Sequence, residues 1–192
     1  MTEPRVPMLS PERAKAAAAE AGIPEYMADL SVFRIALHQP GVAAALNGML
    51  HALLWKGRLD ARLRELIIMR IGWVTGSTYE WTQHWRVASE LGMTAEDICG
   101  VRDPAGHDYG PAERAVLAAT DETLQTGTIS AETFAECRRH VGGDDVLVEM
   151  VAAIGNWRLF SQLLRSLEVP LEEGVEAWPP DGLAPHEAGG PP

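Results

Sequence analysis

The stretch ARLRELIIMRIGWVTGSTYEWTQHW, residues 61–85, decides the fold. Leu63, Leu66, Ile67, Met69 and Ile71 give its first half a broad apolar face at helical spacing, which predicts a central helix. Asp60 stands at the N-cap position and Gly76 at the stop. A second helix then opens with Ser77, Glu80 and His84, which share one stripe because they lie three and four residues apart. Trp81 and Trp85 pair on the neighbouring stripe, and Trp73 lies four residues before Ser77.

The same period extends outward on both sides. Ser10-Pro11-Glu12 has the form of a helix start, with an Ala-rich run to Ala21 and Gly22 closing it. Helices are predicted over 24–37, which the QPG turn at 39–41 ends, and over 42–55. Thr94 to Asp97 resembles a capping box with Asp in place of Glu, and it starts a short helix. Residues 101–111, VRDPAGHDYGP, read as a loop. Three more helices are predicted over 111–125, 131–140 from Ser130, and 144–167. No segment alternates as a strand would, so the fold class is all-α, a multi-helix bundle. The predicted organisation is a helical extension over 1–23, a helical domain over 24–173, and a Pro- and Gly-rich tail over 174–192. The end of that tail is expected to be extended or disordered, with Trp178 able to dock on a neighbour.

Composition narrows the function. The chain has 192 residues, enough for one domain with a core, and 46% of them are hydrophobic. A formal net charge of −11 with no basic stripe argues against nucleic acid as a partner. An anionic substrate would need local arginines. The two cysteines, Cys99 and Cys137, form no CxxC pair and no disulfide framework. The N-terminal segment lacks an apolar signal core, and the longest apolar runs are too short or interrupted to span a bilayer. A cytoplasmic protein without a membrane partner is expected.

The Ser77–Glu80–His84 stripe is the candidate chemistry. A carboxylate beside an imidazole raises its proton affinity and fixes its tautomer, which suits general acid–base work. The competing reading is a solvated i,i+4 pair. Glu65 poses the same choice. It is either exposed and paired with Arg62 or Arg70, or inward and obliged to pair or take up a proton. Glu80 and His84 could also be two metal ligands with Glu65 a third, but HExxH and a Cys/His cluster are both absent. His38, His51, His107, His140 and His186 are scattered, and no metal is assigned. The tryptophans read as packing residues, with Trp81 placed at a pocket wall.

The paired features RLREL and YEWTQH, at their separation here, resemble the carboxymuconolactone decarboxylase family, which includes the alkylhydroperoxidase D-like proteins. The resemblance continues through LGMTAEDI, PAERAVLAATDETLQTGTIS and VLVEMVAAIGNWRLFSQLLRSLEVPLE, over roughly residues 30–173. In the peroxidase branch an upstream Glu precedes CxxC, with a His four residues after the second Cys. Glu65 and His84 match the Glu and the His, while Ser77 and Glu80 occupy the two cysteine positions. Thiol peroxidase chemistry needs a thiolate and a resolving thiol, so it is disfavoured.

The cysteine-free branch implies a cofactor-independent, lyase-type enzyme that decarboxylates a small carbonyl or lactone acid. On that resemblance His84 moves the proton, Glu80 orients it or acts as the acid, and Glu65 supports both. Ser77 and Tyr79 are candidate donors to substrate, and Arg62, Arg70, Arg86 and Arg158 are candidate anchors. The resemblance also implies a homo-oligomer, often trimer-based. The alternative is a non-catalytic ligand-binding or assembly protein on the same fold.

Overall fold

A computed structural model describes residues 3–185. Among them are nine α-helices, one 3-10 turn and no strand. The helices are α1 (Pro11–Glu20), α2 (Ser31–Ala36), α3 (Pro40–Trp55), α4 (Ala61–Thr75), α5 (Thr78–Glu90), α6 (Ala95–Gly100), α7 (Pro111–Thr126), α8 (Ala131–His140) and α9 (Asp144–Ser166). No helix among the described residues is long and apolar enough to cross a membrane. His186 and the end of the predicted tail, 186–192, lie outside the described residues.

The chain divides into two compact units. The first comprises residues 1–56 and 162–175. Here Ser10 caps α1 by accepting a hydrogen bond from Arg13 N, and the Gln39 side chain caps α3 at Gly41 N and Val42 N. That cap starts α3 at Pro40, two residues before the predicted start, because proline suits the first helical position. The single helix predicted over 24–37 is a 3-10 turn, Glu25–Asp29, followed by α2. Leu30 between them is extended, with ψ 132°. The Ser31 amide that follows is satisfied at 2.9 Å by Glu172 Oε1, a partner from the far end of the chain. Trp55, expected in a core or interface, is 52% exposed.

The second unit comprises residues 57–161 and 176–192, and it holds the stretch that decides the fold. Asp60 Oδ1 caps α4 at Arg62 N and Leu63 N. Gly76 ends α4 in the left-handed region, φ 68°, a conformation that suits a residue without Cβ. The chain then turns straight into α5, and Ser77 N bonds Gly72 O at 2.8 Å. A Cβ on Gly72 would lie 3.1 Å from Trp81 N, so the two backbones meet where a side chain would hold them apart. Helix α4 packs against both α5 and α7, and α7 packs against α8.

Thr94 Oγ1 accepts from Asp97 N, half of the expected capping box. The Asp97 carboxylate goes instead to Arg62 and His107, and Arg62's hydrogen bond holds its carboxyl down at about 2. Leu66, Met69, Trp73, Trp81, Ile98 and Leu117 lie in the buried apolar core of this unit.

Trp178 docks on its own chain. Its ring lies 6.1 Å edge-on from Trp73 and 5.9 Å from Trp81. Its amide donates to Thr82 Oγ1, and Trp81 Nε1 donates to Pro179 O at 2.8 Å. Asp181 closes the strap with a two-point ion pair to Arg102, whose guanidinium also lies over the Trp73 and Trp81 rings. Burying these indoles against one another, with the Trp81 N–H and the Trp178 amide satisfied, orders a segment whose composition alone suggests a loose tail.

Candidate active site

Glu65 projects from the middle of α4 and is fully buried. A carboxylate there must be paired or protonated. Its Oε1 accepts from Arg64 Nε at 3.1 Å, and its Oε2 lies 2.7 Å from His84 Nδ1. The imidazole is thus held from one side by an ion-paired carboxylate, an arrangement that places a proton on Nδ1.

The other ring nitrogen faces two groups. Glu80 Oε2 lies 3.5 Å from His84 Nε2, one turn earlier on α5. Trp157 Nε1, from α9, donates to His84 Nε2 at 3.2 Å, and its ring stands edge-on to the imidazole at 5.7 Å. Glu80 is 5% exposed. Burial pushes its carboxyl up to about 7, aided by the negative charge of Glu65 and opposed by His84. Burial works against charging His84, but the charge and hydrogen bond of Glu65, together with Glu80, outweigh it and raise the imidazole's proton affinity. Glu80 and His84 are thus both biased toward holding a proton, beside the Arg64–Glu65 ion pair.

Other residues of the stripe are placed as follows. Ser77 is buried at the N-cap of α5 but makes no capping bond, and its Oγ has no hydrogen-bond partner. Tyr79 is buried one position before Glu80. Trp81, expected at a pocket wall, lies in the aromatic core with its N–H on Pro179. The indole on the histidine is Trp157, brought from 73 residues away.

The structure does not bring the predicted anchor arginines to the triad. Arg62 binds Glu113 at 2.6 Å and Asp97 at 3.1 Å. Arg70 forks onto Asp121 and donates to Val101 O. Arg86 pairs with Glu90 on the surface, and exposed Arg158 reaches Thr123 O. Each satisfies a local carboxylate or carbonyl. The arginine at the triad is Arg64, which sequence reading passed over because Arg62 and Arg70 flank the same apolar face.

The two thiols stand apart from this cluster. Cys137 bonds Ala115 O, and burial pushes its thiol up to about 11; burial also raises Cys99. Both shifts reduce thiolate at neutral pH, the reverse of what a reactive cysteine needs. Among the described residues, no group of three His, Cys, Asp or Glu side chains is arranged to hold a metal ion.

Residues 40–122, which run from α3 into α7 and contain Glu65, Glu80 and His84, match the model of the carboxymuconolactone decarboxylase family. The match is shorter than the resemblance over residues 30–173, and Trp157 lies beyond it.

Solved structures extend the likeness at the level of fold. An alkylhydroperoxidase D core protein from Ralstonia eutropha, described as an uncharacterized peroxidase-related protein, superposes with TM-score 0.73 at 17% identity. The match covers 90% of this chain and 94% of that one. A protein of unknown function from Agrobacterium tumefaciens, described in terms of antioxidant defence, gives TM-score 0.65 at 20% identity, over 71% of this chain and 94% of its own. The debrominase Bmp8, in complex with 2,3,4-tribromopyrrole, gives 0.65 at 17%, over 84% and 85%. No curated protein matches this sequence. The all-α fold is thus shared with alkylhydroperoxidase D-like structures, and a shared fold does not fix the chemistry.

Proposed function

We propose that this chain is a cofactor-independent acid–base enzyme of the lyase type, acting on a small carbonyl or lactone carboxylic acid. The observation that carries this reading is the buried Glu65–His84–Glu80 cluster, joined at 2.7 Å and 3.5 Å, with no thiol in it. In the proposed reaction, the bond between carbon and the substrate carboxylate breaks. Carbon dioxide leaves, and the electron pair passes into the conjugated carbonyl as an enolate. Glu80 delivers its proton to carbon, and the resulting carboxylate recovers one from solvent.

The enolate oxygen needs donors already in place. Ser77 Oγ and Asn156 Nδ2 are buried polar atoms without partners, and they are assigned that role. Arg64 is assigned as the anion anchor, because only its Nε is spent on Glu65 among the described residues. We further propose a homo-oligomer. Val148, Val151 and Leu159 lie exposed at helical spacing along α9, with Gly155 between them, and Val148 is 70% exposed.

The test is release of carbon dioxide from acids whose carboxylate is β or vinylogous to a carbonyl or lactone. Turnover of one such acid is expected, with His84→Ala and Glu80→Gln each lowering kcat about 100-fold or more. Full turnover by His84→Ala would remove the relay from catalysis. Peroxide consumption driven by a dithiol and dependent on His84 would favour the peroxidase reading instead. Tight, saturable binding of such acids without turnover would favour the ligand-binding alternative.

A further inference from the structure

Glu65 and Glu80 on their own leave the position of the shared proton undecided. A carboxylate within ion-pair distance of an imidazole can equally leave a charged pair or a neutral one. The third neighbour of His84 breaks the tie. An indole N–H can only donate, never accept. Trp157 Nε1 lies 3.2 Å from His84 Nε2, so its hydrogen bond exists only while that nitrogen keeps its lone pair. Once Nε2 is protonated, two N–H groups face each other, and the buried indole N–H loses its acceptor.

We propose that Trp157 is a positioning residue: its indole N–H keeps His84 Nε2 bare and so leaves the transferable proton on Glu80. This rests on the acid–base reading of the site. It deepens that reading by giving the physical reason why Glu80, and not His84, hands its proton to substrate.

Every charged group bonded to the imidazole is accounted for in this assignment. Helix α4 supplies Glu65 on Nδ1, with Arg64 behind it, and α5 supplies Glu80 on Nε2. Helix α9 supplies Trp157. Glu65 fixes which nitrogen carries the ring proton. Trp157 then resists a second proton, and Glu80, 3.5 Å away, is the acceptor left for it. Such control is useful in a proton donor. A neutral carboxylic acid can protonate an enolate carbon and become a carboxylate beside a neutral ring. An imidazolium held between two carboxylates would give up its proton less readily.

The experiment is a pH titration of the His84 ring nitrogens by nitrogen-15 NMR in the full-length protein, with His84→Ala supplying the assignment. In the unaltered chain near neutral pH, Nδ1 is expected to be protonated and Nε2 bare. Trp157→Phe keeps an aromatic ring and deletes the donor. It is expected to move the pH at which Nε2 gains a proton upward by roughly half to one unit, the worth of one hydrogen bond. Nε2 found protonated in the unaltered chain above neutrality would overturn the proposal, as would a Trp157→Phe midpoint that stays put or falls. If Trp157→Phe does not fold, the titration of the unaltered chain alone decides. The readout is independent of turnover, so a chain that shows these protonation states yet decarboxylates nothing refutes the lyase reading and leaves Trp157's role standing.

Discussion

Glu65 Oε2 and His84 Nδ1 lie 2.7 Å apart, although they stand 19 positions apart in the chain, across one left-handed glycine and the ends of two helices. This bond joins a fully buried carboxylate to the ring that carries the proposed chemistry. It makes the Arg64–Glu65 pair part of the site as well as part of the core.

That pair sets the first expectation. Removing one member of a buried ion pair strands the other charge. Glu65→Leu, which leaves Arg64 buried and unpaired, is expected to lower stability by about 3–5 kcal/mol in urea unfolding. The double variant Arg64→Met with Glu65→Leu is expected to regain most of that loss. It stays inactive, because His84 Nδ1 has lost its acceptor. Equal stabilities for single and double variants would show that the pair is not coupled.

Glu80 makes stability depend on pH, with a definite sign. Its carboxyl is raised to about 7 in the fold, above the ordinary glutamate range, so between those values the folded chain binds more protons than the unfolded one. Its contribution is fully present in acid and is lost as pH rises through about 7. Unfolding free energy is therefore expected to fall by about 2–3 kcal/mol between pH 5 and pH 8, and Glu80→Gln should flatten the fall. A steeper decline in the variant than in the unaltered chain would reverse this assignment.

Gly72 is expected to be intolerant for a reason of space. A Cβ there would press on the Trp81 backbone at 3.1–3.4 Å, which cannot swing away as a side chain can. Gly72→Ala should cost about 1–3 kcal/mol and push α5 from α4. Because Glu65 and His84 sit on those two helices, the His84 Nδ1 proton resonance should lose its hydrogen-bonded shift. A variant that is destabilised but keeps that resonance would separate the packing from the site.

The C-terminal strap should be worth more through its ring than through its charge. Trp178→Ala is expected to cost roughly 3 kcal/mol, the scale of a buried indole, and to alter the near-ultraviolet signal of Trp73 and Trp81. Asp181→Asn should cost less than about 1 kcal/mol, since Asp181 is half exposed where it meets Arg102. Thermal unfolding of the two variants side by side checks the order.

The sequence by itself determined most of the helices, the Ser10, Asp60, Thr94 and Ser130 caps and the Glu80–His84 turn. Each depends on residues within a few positions of one another, where helical period, Asp60 and Gly76 act directly. The inward turn of Glu65 was one of two open readings, because a carboxylate in an apolar helix can face water or core with the same neighbours. Tertiary structure chose the core by supplying Arg64 and His84 together. It alone decided that Arg62 and Arg70 serve Glu113, Asp97 and Asp121, and that Leu30 breaks a helix whose next amide is claimed by Glu172. It alone brought Trp157 to His84 and Trp178 to Trp81. The physical reason is common to all of these: a buried polar or aromatic group is satisfied by whichever partner the packing delivers, and packing joins residues that local periodicity cannot relate.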